Sequence, residues 1–135
     1  MKFSPADQGE GYSIQSYGPG RVVVNGETHR SSLLVMPERV VPNWRPVCFA
    51  DLDERDFIDL AAYRPEIVVL GTGTRQRFPA PAFYRSLADR GIGLEVMDTG
   101  SACRTYNILM AEDRRVLAAL LPIDTEERGA SEREP

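Results

Sequence analysis

The chain has 135 residues, 42% of them hydrophobic and 27% charged, which suits one globular domain with a sizeable core. With 16 basic against 20 acidic residues, the formal net charge is −4, and that balance argues against broad binding to nucleic acid or to anionic membranes. Its apolar stretches are far shorter than the ~20 residues of a membrane span, and MKFSPADQGEGY lacks the apolar centre of a signal peptide, so the reading is a soluble, cytoplasmic protein with no membrane insertion.

Residues 1–10 are polar, contain Pro5 and Gly9, and are read as a flexible tail that buries too little to offset its ordering entropy. A single domain is expected over 11–123. SIQSYG, RVVVNG and THRSSLLVM come first, rich in β-branched and aromatic residues. Asn25-Gly26 between them is a tight-hairpin signal, because both residues accept positive φ. Across VMPERVVPNWRPVCF, Pro37, Pro42 and Pro46 disfavour any continuous strand or helix.

DERDFIDLAAYRP places Phe57, Leu60 and Ala61 on one helical face, with Asp51 and Asp53 as capping candidates and Pro65 as the stop. Asp51, Asp53, Glu54, Asp56 and Asp59 read as its solvated face and first turn. EIVVLGTG reads as a strand covered on both faces, and PAFYRSLADRG as a short helix between Pro81 and Gly91. GLEVMD is a strand. TGSACRTYNILMAEDR is a third helix, with Ala102, Tyr106, Leu109 and Met110 at apolar spacing, and RRVLAALLPI is a last strand. Residues 124–135 lack large apolar side chains and are read as a disordered polar tail.

The order β-β-β-α-β-α-β-α-β implies an α/β fold, a single layered domain with a mixed central β-sheet. N-terminal hairpins precede parallel strands joined by right-handed helical crossovers.

Ligands of open α/β sheets gather beyond the carboxyl ends of parallel strands, facing helix N-termini. Two segments fit, and they share one rim if their strands are neighbours. LGTGTRQRF contributes Gly71, Thr72, Gly73, Arg75 and Arg77. MDTGSACRTYN contributes Asp98, Thr99, Cys103, Arg104, Thr105 and Asn107. Glycines let backbone approach a ligand, and the arginines supply positive charge. The first loop is open to three readings: a structural turn, a contact for a small anionic ligand or a partner, or a dinucleotide site. Gln76 stands where a dinucleotide fingerprint needs its third glycine, and the only lysine is Lys2, so no Walker motif follows. No cofactor is assigned.

Cys103 near a helix N-terminus has the setting of a reactive thiol. The lone histidine, His29, lies in the strand-rich half, so no Cys–His pair is set by spacing. The alternative, for Cys103 and Cys48 alike, is a packed small hydrophobe. One histidine and two separated cysteines make neither a metal site nor a disulfide framework. Asp98 also suits a helix cap, and Thr105 and Asn107 suit the satisfaction of buried backbone groups.

EIVVLGTGTRQRFPAP together with GLEVMDTGSACRTYNILMAEDRRVLAALLPI strongly resembles a family of small, widespread domains of unassigned biochemical activity. That family includes an archaeal structural-genomics prototype and a mitochondrial assembly factor for respiratory complex I. The resemblance covers roughly residues 10–123 and is strongest over 66–122. It implies one compact α/β domain with a mixed sheet. It matches the family's recurring positions at Gly71, Gly73, Phe78, Thr99, Thr105, Tyr106 and Asn107, for which the family offers no catalytic roles. With no complete catalytic constellation in the sequence, it points to a non-enzymatic binding or assembly-support domain acting through protein partners. The alternative is a small-molecule or anion-binding protein of phosphate or nucleotide type, enzymatic or not, with its site at the Gly71–Phe78 and Thr99–Asn107 loops. Without an extended basic leader, the chain reads as a bacterial member. Its helix faces and hairpin leave room for a homo-oligomer without requiring one.

Overall fold

The β-branched residues of the N-terminal segments pair locally. In the computed structural model, which describes residues 11–125, β1 (Ile14–Gly18), β2 (Arg21–Val24) and β3 (Glu27–His29) form an antiparallel three-stranded sheet. The expected tails at 1–10 and 126–135 lie outside the described residues. Asn25 and Gly26 turn β2 into β3 with φ of 46° and 88°, as the Asn-Gly signal requires.

Five strands build the mixed sheet in the order β5-β4-β8-β6-β7: β4 (Leu33–Met36), β5 (Arg39–Pro42), β6 (Ile67–Gly71), β7 (Gly93–Met97) and β8 (Val116–Leu120). β6 lies parallel to both β7 and β8, while β4 is antiparallel to β8 and β5. The mixed sheet and the alternating second half agree with the sequence reading, and two details extend it. THRSSLLVM divides between the two sheets, as β3 and β4. RVVP forms β5 inside the proline-rich stretch. That stretch accommodates a strand because Pro37 falls in the turn, and Pro42 ends an edge strand whose outer side needs no donor.

β8 is buried at every position, as a central strand covered on both faces must be. On one face, α1 (Glu54–Ala61) and α2 (Arg85–Asp89) bring Phe57, Leu60 and Leu87 against Val68, Leu70, Leu117 and Ala119. On the other, α3 (Thr99–Ala111) and the small sheet bring Ala102, Tyr106, Ile14 and Val22 against Leu33, Val69, Ala118 and Leu120. Successive β8 residues therefore serve opposite cores.

Asp56 departs from its expected solvated role. Only 1% of it is exposed, and its carboxylate accepts Arg45 Nε at 2.8 Å and Nη2 at 2.7 Å. It also accepts the Asp53 N–H at 3.0 Å, while Asp53 accepts the Arg55 N–H at 2.9 Å. The hydrogen bond to Asp56 raises the Arg45 pKa further and keeps the guanidinium charged. This pair ties the segment before α1 to the helix itself. Asp51, Glu54 and Asp59 are exposed, as read from the sequence.

Asn107 pins α3 to β1. Its Oδ1 accepts the Ile14 N–H at 2.9 Å, and its Nδ2 donates to the Ile14 carbonyl at 2.8 Å. The Tyr106 hydroxyl adds a bond to the Tyr12 carbonyl at 2.7 Å. Asn107→Ala leaves both Ile14 groups without that partner and is expected to lower stability by roughly 1–3 kcal/mol. Urea unfolding of the variant checks this; an unchanged midpoint would contradict the pinning role.

Candidate functional site

The turn after β6 joins the first turn of α3. A Cβ on Gly71 would lie 2.9 Å from the Thr99 Cα, so glycine is what allows the helix to start so close to the strand end. Gly73 has φ of 100°, a conformation open to glycine and strained for other residues. Its carbonyl accepts the Thr99 N–H at 2.9 Å. In return the Gly73 N–H donates to Thr99 Oγ1 at 2.8 Å, and that hydroxyl donates to the Leu121 carbonyl at 2.6 Å. Thr72 stiffens the same turn: its N–H donates to the Met97 carbonyl at 2.9 Å, and its hydroxyl accepts the Arg77 N–H at 3.1 Å.

Asp98 caps α3 by accepting the Ser101 N–H at 2.8 Å and the Ser101 hydroxyl at 2.9 Å. The backbone bond from Ser101 holds its carboxyl below the usual aspartate range. The two loops thus share a rim, and much of their polar capacity is engaged between them.

In front of this rim, at the C-terminal ends of β6 and β8, lies a cleft of about 910 Å³. The Pro19-Gly20 turn, residues 30–32, residues 43–49, the loop after β6 and residues 121–125 contribute its walls. Among the described residues, four arginines border it, Arg30, Arg45, Arg75 and Arg77, against one aspartate, Asp124. Arg45 is paired with Asp56. Arg77 stacks its guanidinium 4.6 Å from the centre of the Phe49 ring. Arg30 and Arg75 are exposed and take part in no ion pair among the described residues.

Of the residues singled out from the sequence, Thr72, Gly73, Arg75 and Arg77 border the cleft. Gly71, Asp98 and Thr99 form the joint behind it. Arg104 lies elsewhere, hydrogen-bonded to the Tyr17 hydroxyl and Ser101 Oγ and set 5.8 Å from the Tyr17 ring centre. Thr105 is half-buried on α3, and Asn107 serves β1. Phe78 is 69% exposed.

Cys103 is fully buried, and burial pushes its thiol up to about 12. The thiol on the cleft is Cys48, half-buried in its wall. Sequence reasoning missed Arg30, Arg45, Val47 and Phe49. The one available signal was WRPVCF, where tryptophan, arginine and phenylalanine crowd between prolines. Among the described residues, no group of three or more His, Cys, Asp or Glu is placed to hold a metal ion. None of their helices is long and apolar enough to cross a membrane.

A family described as "Protein of unknown function (DUF498/DUF598)" matches residues 14–121. The Bos taurus NADH dehydrogenase (ubiquinone) 1 alpha subcomplex assembly factor 3 is 39% identical over 111 residues, which are 81% of this chain. The chain spans only 60% of that relative's length. Among solved structures, a Bordetella parapertussis protein is 40% identical with a TM-score of 0.78, over 83% of this chain and 96% of that one. A Bordetella pertussis protein described as an Mth938-like domain is 31% identical with a TM-score of 0.77, over 96% and 95% of the two chains.

Two outcomes follow from the burial and capping seen here. A thiol reagent at neutral pH is expected to modify Cys48 in the native protein and Cys103 only after unfolding; equal native rates would contradict the packing of Cys103. Asp98 has a lowered folded pKa, so its stabilisation is complete above the ordinary value of 3.8 and is lost as pH falls through the lower folded value. Asp98→Ala should therefore cost roughly 0.5–2 kcal/mol at neutral pH, with the deficit shrinking in acid. A pH-independent deficit in thermal or urea unfolding would refute the charged cap.

Proposed function

The chain belongs to the DUF498/DUF598 family of proteins of unknown function, and from that premise we propose that it is a non-enzymatic assembly-support domain that holds a protein partner on its cleft face. The observation carrying this reading is the likeness to the bovine assembly factor across 81% of the chain. The cleft face suits such a role. Its arginines are exposed, and Val47 on its wall is 62% exposed, an apolar contact rimmed by charge. We place the protein in the cytoplasm, acting alone or as a homo-oligomer.

A second reading puts a small anion of phosphate or nucleotide type in the same cleft. It is favoured by the volume, which lies within the usual range for small-molecule sites, and by Arg30 and Arg75, which no carboxylate neutralises among the described residues.

Gentle affinity capture from the native host separates the readings. Wild-type protein should recover a reproducible partner, Val47→Asp should lose it, and Ile58→Asp, on exposed α1 surface, should keep it. Recovery of no partner, or equal recovery with Val47→Asp, would count against the proposal. Saturable amide shifts at Arg75 and Arg77 with phosphate or nucleotides would then favour the second reading.

A further inference from the structure

We infer that the cleft is a receptor for an acidic segment of the partner protein, with carboxylates seated on Arg30, Arg75 and Arg77 and an apolar side chain against Val47 and Phe49. The inference rests on the protein-partner reading and names the chemistry of that contact. It begins from charge segregation: in a chain of net charge −4, the described residues gather four arginines and one aspartate around a single cleft. Charges placed against the overall balance mark a local complement to an anionic group.

The state of each arginine identifies which of them receive. The guanidinium edge of Arg45 already faces the Asp56 carboxylate and the Asp51 carbonyl, so Arg45 shapes the wall. Arg77 lies over the Phe49 ring and makes none of the ion pairs among the described residues, so its guanidinium N–H donors are available to a carboxylate. Arg30 and Arg75 make none of the ion pairs among the described residues. Asp124, on the wall formed by 121–125, repels carboxylates and directs them toward the arginine side.

A compact phosphate fits less well. Phosphate sites on this kind of rim rely on free N–H groups of a loop and a helix N-terminus. Here the N–H groups of Thr72, Gly73, Arg77, Thr99 and Ser101, most of those on the loop and the first turn of α3, bind within the fold, and no bond within the fold is seen for those of Thr74, Arg75, Gln76 and Gly100. Recognition falls instead to long side chains on a cleft of about 910 Å³ whose lining also includes the apolar Trp44, Val47, Phe49, Leu121 and Pro122. Several cations on a cleft of that size, together with apolar lining such as Val47 and Phe49, complement a chain that carries several carboxylates and an apolar residue, more than one compact anion.

The test is fluorescence anisotropy with a labelled nine-residue peptide of five glutamates separated by leucine or serine. A counterpart with lysine replacing glutamate and inorganic triphosphate are the other arms. The acidic peptide should bind saturably and more weakly as salt rises, and the lysine peptide should not bind. Arg75→Ala/Arg77→Ala should weaken binding about tenfold or more, as should Val47→Asp. Arg90→Ala, on the exposed end of α2, should leave it unchanged. All four positions are exposed, and matching melting curves confirm that the variants fold. No binding of the acidic peptide, or binding that ignores the arginine substitutions, overturns the inference. Triphosphate binding through Arg75 and Arg77 without peptide binding overturns it in favour of a compact anion. Val47-dependent capture of a cellular partner in either case leaves the partner reading standing while this inference falls.

Discussion

The hydroxyl of Thr99 holds three segments that sequence separates widely. It accepts the Gly73 N–H, donates to the Leu121 carbonyl, and sits on a residue whose own N–H binds the Gly73 carbonyl. The side chain is fully buried, so water cannot replace either partner, and loss of the hydroxyl leaves two buried groups unsatisfied. Around this joint the strand end at β6, the helix start at α3 and the exit from β8 take fixed positions. Gly71 makes the close approach possible, since any Cβ there meets the Thr99 backbone. The floor and one wall of the cleft inherit their shape from this arrangement.

The opposite wall depends on a charge pair. Residues 43–49 have little regular structure apart from the short turn that begins at Phe49, and Arg45 fastens them to α1 through the buried Asp56. That carboxylate also closes the N-terminal turn of α1 through the Asp53 N–H. One residue therefore supports a helix and positions Val47 and Phe49 beside the loop after β6. Two loops fixed by internal hydrogen bonds present arginines outward, which is how a rigid scaffold commonly carries a binding surface.

Much of this was legible in the chain. Period and punctuation located β6, β7, β8 and the three helices, because continuous apolar runs and proline or glycine stops act locally. The meeting of the loop after β6 with the first turn of α3 followed from parallel-strand topology, whereas Arg104 and Asn107, also read onto that rim, turn to Tyr17 and to Ile14 on β1. Side-chain direction was not legible. Arg75 and Arg104 look alike in sequence, yet one borders the cleft and the other stacks near Tyr17 on β1. Asp56 looked like its solvated neighbours because its partner, Arg45, lies outside the helix and leaves no periodic trace. β5 was hidden by Pro37 and Pro42, which an edge strand tolerates at its turn and its end. Cys103 sat near a helix start, but only the packing of α3 against the sheet tells that its thiol is buried.

The most direct test of this account is Thr99→Val, which keeps the shape of the side chain and removes the hydroxyl. Amide hydrogen exchange at Gly73, measured alongside urea unfolding, reads the joint itself. Loss of the hydroxyl should lower stability by roughly 1–3 kcal/mol and speed exchange at Gly73 about tenfold or more. Unchanged stability with wild-type protection at Gly73 would mean that the Thr99 hydroxyl does not hold the cleft together.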